Sequence, residues 1–298
     1  MPRTNVFTTA KRIRRQVGNG HREETGVLLA AIDDATDTLQ FKTTLPSSVQ
    51  AGVTLGLDLE LVLVVTADHE TNICTVIRGF LDSEPVAHLI DTLIEIAPRF
   101  TLLDIVDAMI TEVDSWGPDL YYYDTVFFDV ESGTEVLGLP GSYYNVIRIL
   151  ECRQEEANGE QSVWPRIKHK LLRGVVGSDW GDSGLALRFH EPVRHGRIAV
   201  TIAYPFDTTF FDGDHDLVLD LHFSKSMIDI IEMGARIRLI SNSDDESTGR
   251  NAQDEPRRAA EVPIGSMVSL SQLRLARYTR RLSDEKARLN RLFPTRMS

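Results

Sequence analysis

The chain has 298 residues, 42% of them apolar and 26% charged, with a formal net charge of −12. That content suffices for one large or two ordinary hydrophobic cores, and the acidity argues against a nucleic-acid groove lined by the body of the protein. The longest apolar run, Leu61–Ala67, is far short of the roughly 20 residues of a membrane span, and MPRTNVFTTAKRIRRQ lacks the apolar centre of a signal peptide.

Charge is sharply partitioned along the chain. Residues 1–22 carry six Lys/Arg and no acid, and residues 264–298 carry eight Lys/Arg against Asp284 and Glu285. Each end is therefore +6, which leaves −24 for residues 23–263. Two basic ends on an acidic middle have to face an anion: nucleic acid, a membrane surface, or the body of this chain or its neighbour.

In chain order, residues 1–25 read as a basic flexible arm, because Gly18-Asn19-Gly20 interrupts any helix begun at Lys11–Gln16. Lys11, Arg12, Arg14 and Arg15 are its candidate anion contacts. An acidic, β-rich globular body is expected over residues 26–240. Gly26–Ile32 and Thr38–Leu45 are β-prone runs around the turn at residues 33–37, and Leu57–Thr66 pairs with Cys74–Leu81 across Asp68–Asn72. Two helices then interrupt the strands. The first, over residues 84–97, follows from Val86, Leu89, Ile90, Leu93 and Ile94 at the spacing of a buried stripe. The second, over 101–115, opens with Thr101 and Asp104 in a capping-box arrangement. Strands resume at Tyr121–Val130, Tyr143–Glu151, Gly184–Phe189, Arg197–Tyr204 and Asp216–Phe223, with an exposed loop at Gln154–Gln161. A short helix around Ser226–Met233 leads to a strand-like Ala235–Ile240. The fold class is α+β or mostly β: an antiparallel sheet or sandwich-like body of about ten strands, two inserted helices and a separate C-terminal amphipathic helix.

Residues 241–263 read as a flexible polar linker, followed by a basic amphipathic helix over 264–293. Val268, Leu275, Leu282 and Leu289 recur every seven residues, with Tyr278 and Leu292 on the companion row. Arg274, Arg281 and Arg288 flank that stripe, and the opposite flank (Gln272, Thr279, Lys286, Phe293) offers no acid to meet them. This points to docking in an acidic groove, on an anionic membrane surface or on the chain's own body. Arg274, Leu275, Tyr278, Arg281, Leu282, Arg288, Leu289 and Leu292 are the candidate partner-binding residues.

Chemistry-bearing patterns are sparse. Gly181-Asp182-Ser183-Gly184 resembles the nucleophile loop of trypsin-like serine proteases, which would make Ser183 the nucleophile, His69 the base and Asp119 or Asp124 the third member. The same tetrapeptide is also an ordinary turn. Asp212, Asp214, His215, Asp216, Asp220 and His222 have metal-ligand chemistry, but a hairpin turn leading into an alternating, half-buried strand explains every one of them without a metal. Tyr121-Tyr122-Tyr123 could stack on bases or sugars, but no Lys or Arg lies nearby in sequence. No phosphate-binding glycine loop, Cys-x-x-Cys or His-Glu-x-x-His is present, so no cofactor, metal or catalytic residue is assigned. Cys74 and Cys152 sit in apolar runs as buried free thiols, which suits a reducing, intracellular setting: cytoplasmic, nuclear or peripheral to a membrane.

Leu59–Thr66, a turn and Cys74–Asp82 resemble the strand–turn–strand of the thirty-kilodalton class of plant-virus movement proteins, with Asp82 at the matching aspartate. The resemblance covers about twenty-five residues. The expectation for the whole chain is a non-enzymatic assembly or interaction protein of viral structural, matrix or movement-like type, which self-associates or docks partners through its basic C-terminal helix. A protein that uses its basic termini on nucleic acid or a membrane surface, and a serine hydrolase built on Ser183, are the alternatives.

Overall fold

A computed structural model describes residues 4–17, 24–158, 161–174, 183–211, 215–254 and 266–294. The fold is mixed α+β, its sheets are antiparallel, and a long helix closes the chain. No described helix is long and apolar enough to cross a membrane. The chain divides into two compact units, the first formed by residues 1–112, 209–220 and 228–278, the second by 113–208, 221–227 and 279–298.

In the first unit, β1 (Glu24–Val27), β2 (Thr38–Gln40), β3 (Thr54–Leu57), β4 (Glu60–Asp68), β5 (Ile73–Ile77) and β6 (Leu93–Ile96) form one sheet in the order β1-β6-β3-β4-β5-β2. Leu39, Phe41, Leu55, Val62, Val64, Cys74 and Ile94 fill its core. The β4–β5 pairing agrees with the sequence reading, and Asp68 closes its turn by accepting the Glu70 amide at 2.9 Å and the Thr71 hydroxyl at 2.7 Å. The expected hairpin of Gly26–Ile32 with Thr38–Leu45 is reduced to the Leu28–Phe41 bridge; β1 pairs with β6, and β2 with β5.

Three expectations in this unit are corrected. First, part of the supposed flexible arm is helix α1 (Val6–Val17). Asn5 caps it by accepting the Thr8 amide at 2.8 Å, and Val6, Ala10, Ile13 and Val17 are buried along one face. Second, residues 84–97 are not a helix: Ile32 and His88 form a bridge, and residues 93–96 are β6. The apolar residues share a helical spacing, but Leu93–Ile96 takes its backbone partners from β1 and β3. Third, Asp216–Phe223 is not a strand. Asp216 accepts the Val218 and Leu219 amides and bridges to Asn5, so the segment turns and leaves Leu219 exposed.

Helix α2 (Leu102–Ser115) carries the expected capping box: the Asp104 amide donates to Thr101 Oγ1 at 3.0 Å, and Asp104 Oδ2 accepts the Thr101 amide at 2.9 Å. Helix α3 (Lys225–Asp254) is continuous where a short helix, a strand and the beginning of a linker were expected. Met227, Ile228, Ile230, Ile231, Ala235 and Leu239 are buried along it, at the recurrence of one helix face. Residues 255–263 of the expected linker lie outside the described residues. Helix α4 (Ser266–Leu292) agrees with the C-terminal amphipathic helix.

The second unit is a small sandwich. β7 (Tyr122–Val130), β14 (Gly196–Tyr204) and β9 (Arg148–Gln154) make one sheet in that order; β12 (His169–Arg173), β13 (Leu185–Val193) and β8 (Thr134–Gly138) make the other. Their inward residues, among them Cys152, Leu187, Phe189, Ile198, Val200 and Ile202, share one core. The loop expected at 154–161 is a β-ribbon of β10 (Glu156–Asn158) and β11 (Gln161–Val163). Trp116 meets Phe206 and Phe223 edge-on at 5.8 and 6.1 Å, and Phe206 stacks on Phe223 at 4.3 Å.

Candidate functional site

The most unusual surface in the first unit is the connection from β5 to β6. From the last residue of β5 to the first of β6, Ile77, Leu81, Val86, Leu89, Ile90 and Leu93 are all exposed, Leu81 at 66% and Leu89 at 76%. Contiguous exposed apolar residues mark contact surfaces. This loop is held from beneath by an ionic clamp. Glu60, at the start of β4, is fully buried and receives Arg78 Nε at 2.5 Å and Nη2 at 2.7 Å, His88 Nε2 at 2.9 Å, and the Gly79 and Val86 amides at 3.3 Å each. Arg78 in turn donates to the carbonyls of Asp33, Thr36 and Val86. Burial alone would raise the Glu60 carboxyl, but the bonds from Arg78, His88 and Val86 outweigh it and hold it at about 2. Ser83, also buried, accepts the Leu61 amide at 2.9 Å.

Inside that frame Leu81, Asp82 and Asp91 adopt positive φ of 54°, 60° and 69°. Non-glycine residues in this region cost roughly 1–3 kcal/mol each, and such strain gathers where function requires a shape. Asp82 and Glu84 are exposed among the apolar residues, while Asp91 pairs with Lys42 at 2.6 Å, so the loop is an apolar surface with an acidic edge at residues 82–84. The sequence reading missed it because the same leucines and isoleucines fit a helical stripe, and Pro85 falls in the first turn of the expected helix, where proline is tolerated.

The cations expected to reach outward from the N-terminus face inward in part. Arg12 pairs with Glu232 at 2.7 Å, Arg14 pairs with buried Glu95, and Lys11 lies 3.7 Å from Asp58; Arg15 is exposed. Much of that basic charge is therefore matched by acids of the same unit.

The expected partner-binding residues of α4 separate into two groups. Tyr278 donates to Glu112 Oε1 at 2.6 Å, and Glu112 also receives Arg238 Nε at 3.0 Å. In the second unit Leu289 is 1% exposed, and Glu285 accepts Ser224 at 3.2 Å, Ser226 at 3.0 Å and Arg288 Nη2 at 2.6 Å. Arg288 thus has an acidic partner three residues back in its own helix, unlike the expectation. Leu282 is half-buried, while Leu292 is exposed. Along the part of α4 in the first unit, Leu273, Arg274, Leu275 and Arg277 contribute to a surface that is both basic and apolar. Arg274 and Arg277 crowd Arg236 of α3: burial, and then these two charges, lower the Arg236 pKa.

The other candidate residues do not assemble into chemistry. Ser183 Oγ donates to the Leu139 carbonyl at 2.5 Å and accepts the Leu185 amide at 3.2 Å, a turn-closing role. Gly181 and Asp182 lie outside the described residues. His69 Nδ1 is 3.4 Å from the Leu45 carbonyl, Asp119 pairs with Lys286, and Asp124 accepts the Thr125 amide. Asp212 and Asp214 also lie outside the described residues; Asp216 accepts turn amides, its own amide donates to Asp220, and His222 stacks on Tyr122 at 4.9 Å. No group of three metal-ligating side chains gathers among the described residues. Burial pushes the thiols of Cys74 and Cys152 up to about 11 and about 12, with Glu151 adding to the latter, which suits structural cysteines. No protein-family model and no curated protein matches the chain.

Proposed function

We propose that this chain is a non-enzymatic interaction protein that self-associates, with the acidic-edged apolar loop of one copy receiving the basic, apolar face of α4 from another. The observation that carries the reading is the loop at residues 77–93: its exposed leucines and isoleucines stand on a buried clamp and so keep a fixed shape. Burial of such a patch supplies the driving force. Asp82 and Glu84 complement Arg274 and Arg277, which sets orientation and rate of encounter more than affinity. A loop-to-helix contact made once between two copies is heterologous and builds rings or filaments, whereas the same contact made reciprocally about a two-fold axis closes a dimer.

Size-exclusion chromatography with light scattering, across protein concentration and in low and high salt, tests this. The native chain is expected to form concentration-dependent oligomers that weaken with salt, and Leu89→Asp with Ile90→Asp to give a monomer. A native chain that stays monomeric at all concentrations, or a double variant that assembles like the parent, contradicts it.

A further inference from the structure

The outward face of the β7-β14-β9 sheet carries a second surface, independent of the first. Its central strand is lined with small residues: Ala199 sits opposite Phe127 on one side and Arg153 on the other, and Thr201 opposite Thr125 and Glu151. Thr125 and Thr201 join hydroxyls at 3.0 Å. Aromatic pairs stand at the two ends of this floor. Phe127 meets Trp164 edge-on with centroids 5.7 Å apart, and Tyr123 meets Phe293 edge-on at 4.8 Å. Together they bound an open cleft of about 440 Å³, within the roughly 300–1,000 Å³ of small-ligand sites. Tyr123 and Phe127 are 44% and 47% exposed although the cleft is built from regular strands.

Guanidinium groups supply the charge that the tyrosine run lacked in sequence. Arg197 lies over the Phe127 ring at 4.5 Å, and Arg153 and Arg166 both pair with Glu151 while keeping about half of their side chains exposed. Arg153 and Arg166 share the single carboxylate of Glu151, and Asp129 stands opposite Arg197 in the β7–β14 register. The second unit as a whole is neutral, with sixteen Asp/Glu and sixteen Lys/Arg; the first unit carries the entire −12. A polyanion is therefore not repelled from the second unit by its own net charge.

We infer that this cleft binds single-stranded nucleic acid, with bases stacking against Phe127, Trp164 and Tyr123 and the arginines meeting phosphates. Every base has a π-face, so such a platform is tolerant of sequence. A duplex, whose bases are already stacked, offers nothing to the rings. A neutral glycan would use the rings and hydroxyls but would leave the arginines without a role.

The test is fluorescence anisotropy of labelled oligo(dT) and oligo(U) with the full chain, against a duplex of equal length and a neutral oligosaccharide as competitor. Single strands are expected to bind in low salt, with a log–log salt slope of about −2 for three phosphate contacts. Phe127→Ala and Tyr123→Ala are each expected to weaken binding by about tenfold or more. Arg153→Ala, at an exposed side chain, is expected to weaken binding and flatten the slope, and unchanged melting curves establish that the variants are folded. Failure of the native chain to bind single strands, equal affinity for the duplex, displacement by the oligosaccharide, or unaltered affinity in folded Phe127→Ala and Arg153→Ala each overturn the assignment.

Discussion

At the scale of single residues, the exposed loop depends on Glu60. Its carboxylate is fully buried, and every bond it accepts fixes part of the exposed loop. Because its pKa is depressed from 4.5 to about 2 in the folded protein, its contribution to stability is complete above pH 4.5 and is lost as pH falls toward 2. Glu60→Gln is expected to flatten the fall of melting temperature across that window. At neutral pH the same variant strands a buried Arg78 charge and should cost about 3–5 kcal/mol. Thermal melts from pH 7 to pH 2 check both effects; parallel pH profiles for variant and parent would show that Glu60 is not the titrating clamp. Little of this was legible in the sequence, because Glu60, Arg78 and His88 are brought together only by strand pairing and by the loop's return.

At the scale of elements, legibility followed local chemistry. Helix α2 was readable because Thr101 and Asp104 cap it within four residues, and α4 because its leucines recur every seven. β7 and β14 were readable from residue type and alternation. Helix α1 was missed although Val6, Ala10, Ile13 and Val17 have helical spacing, since Gly18-Asn19-Gly20 was read as interrupting a helix begun at Lys11–Gln16, whereas α1 begins at Val6 and ends just before it; the acids that pair with Arg12 and Arg14 are far away in the chain. Residues 84–97 and 216–223 failed in the opposite way: their patterns were periodic, but β pairing and Asp216 turn bonds overrode them. One helix contact invites a direct test. Gly234 of α3 lies where an added Cβ would strike the Glu112 carboxylate, the group that holds Arg238 and Tyr278. Gly234→Ala is expected to destabilise the protein by about 1–3 kcal/mol, despite the better helix propensity of alanine. Denaturant titration measures it, and a more stable variant would show that Glu112 is free to move aside.

For the whole molecule, the partition of charge seen first in the sequence acquires a different meaning. Among the described residues Lys11, Arg12 and Arg14 are matched by acids of the first unit, and the far end of α4 is anchored by Leu289 and Glu285 within the second. The first unit leaves exposed the stretch of α4 around Leu273, Arg274 and Arg277 and the acidic apolar loop, whose pairing between copies is our proposal. The most direct measurement of that pairing is sedimentation velocity on two crippled copies, one with Leu89→Asp and Ile90→Asp, the other with Arg274→Glu and Arg277→Glu. Each alone should sediment as a monomer, and an equimolar mixture should recover a dimer, because one intact loop and one intact helix face survive between them. A mixture that remains monomeric while the native chain assembles would contradict the loop-to-helix contact.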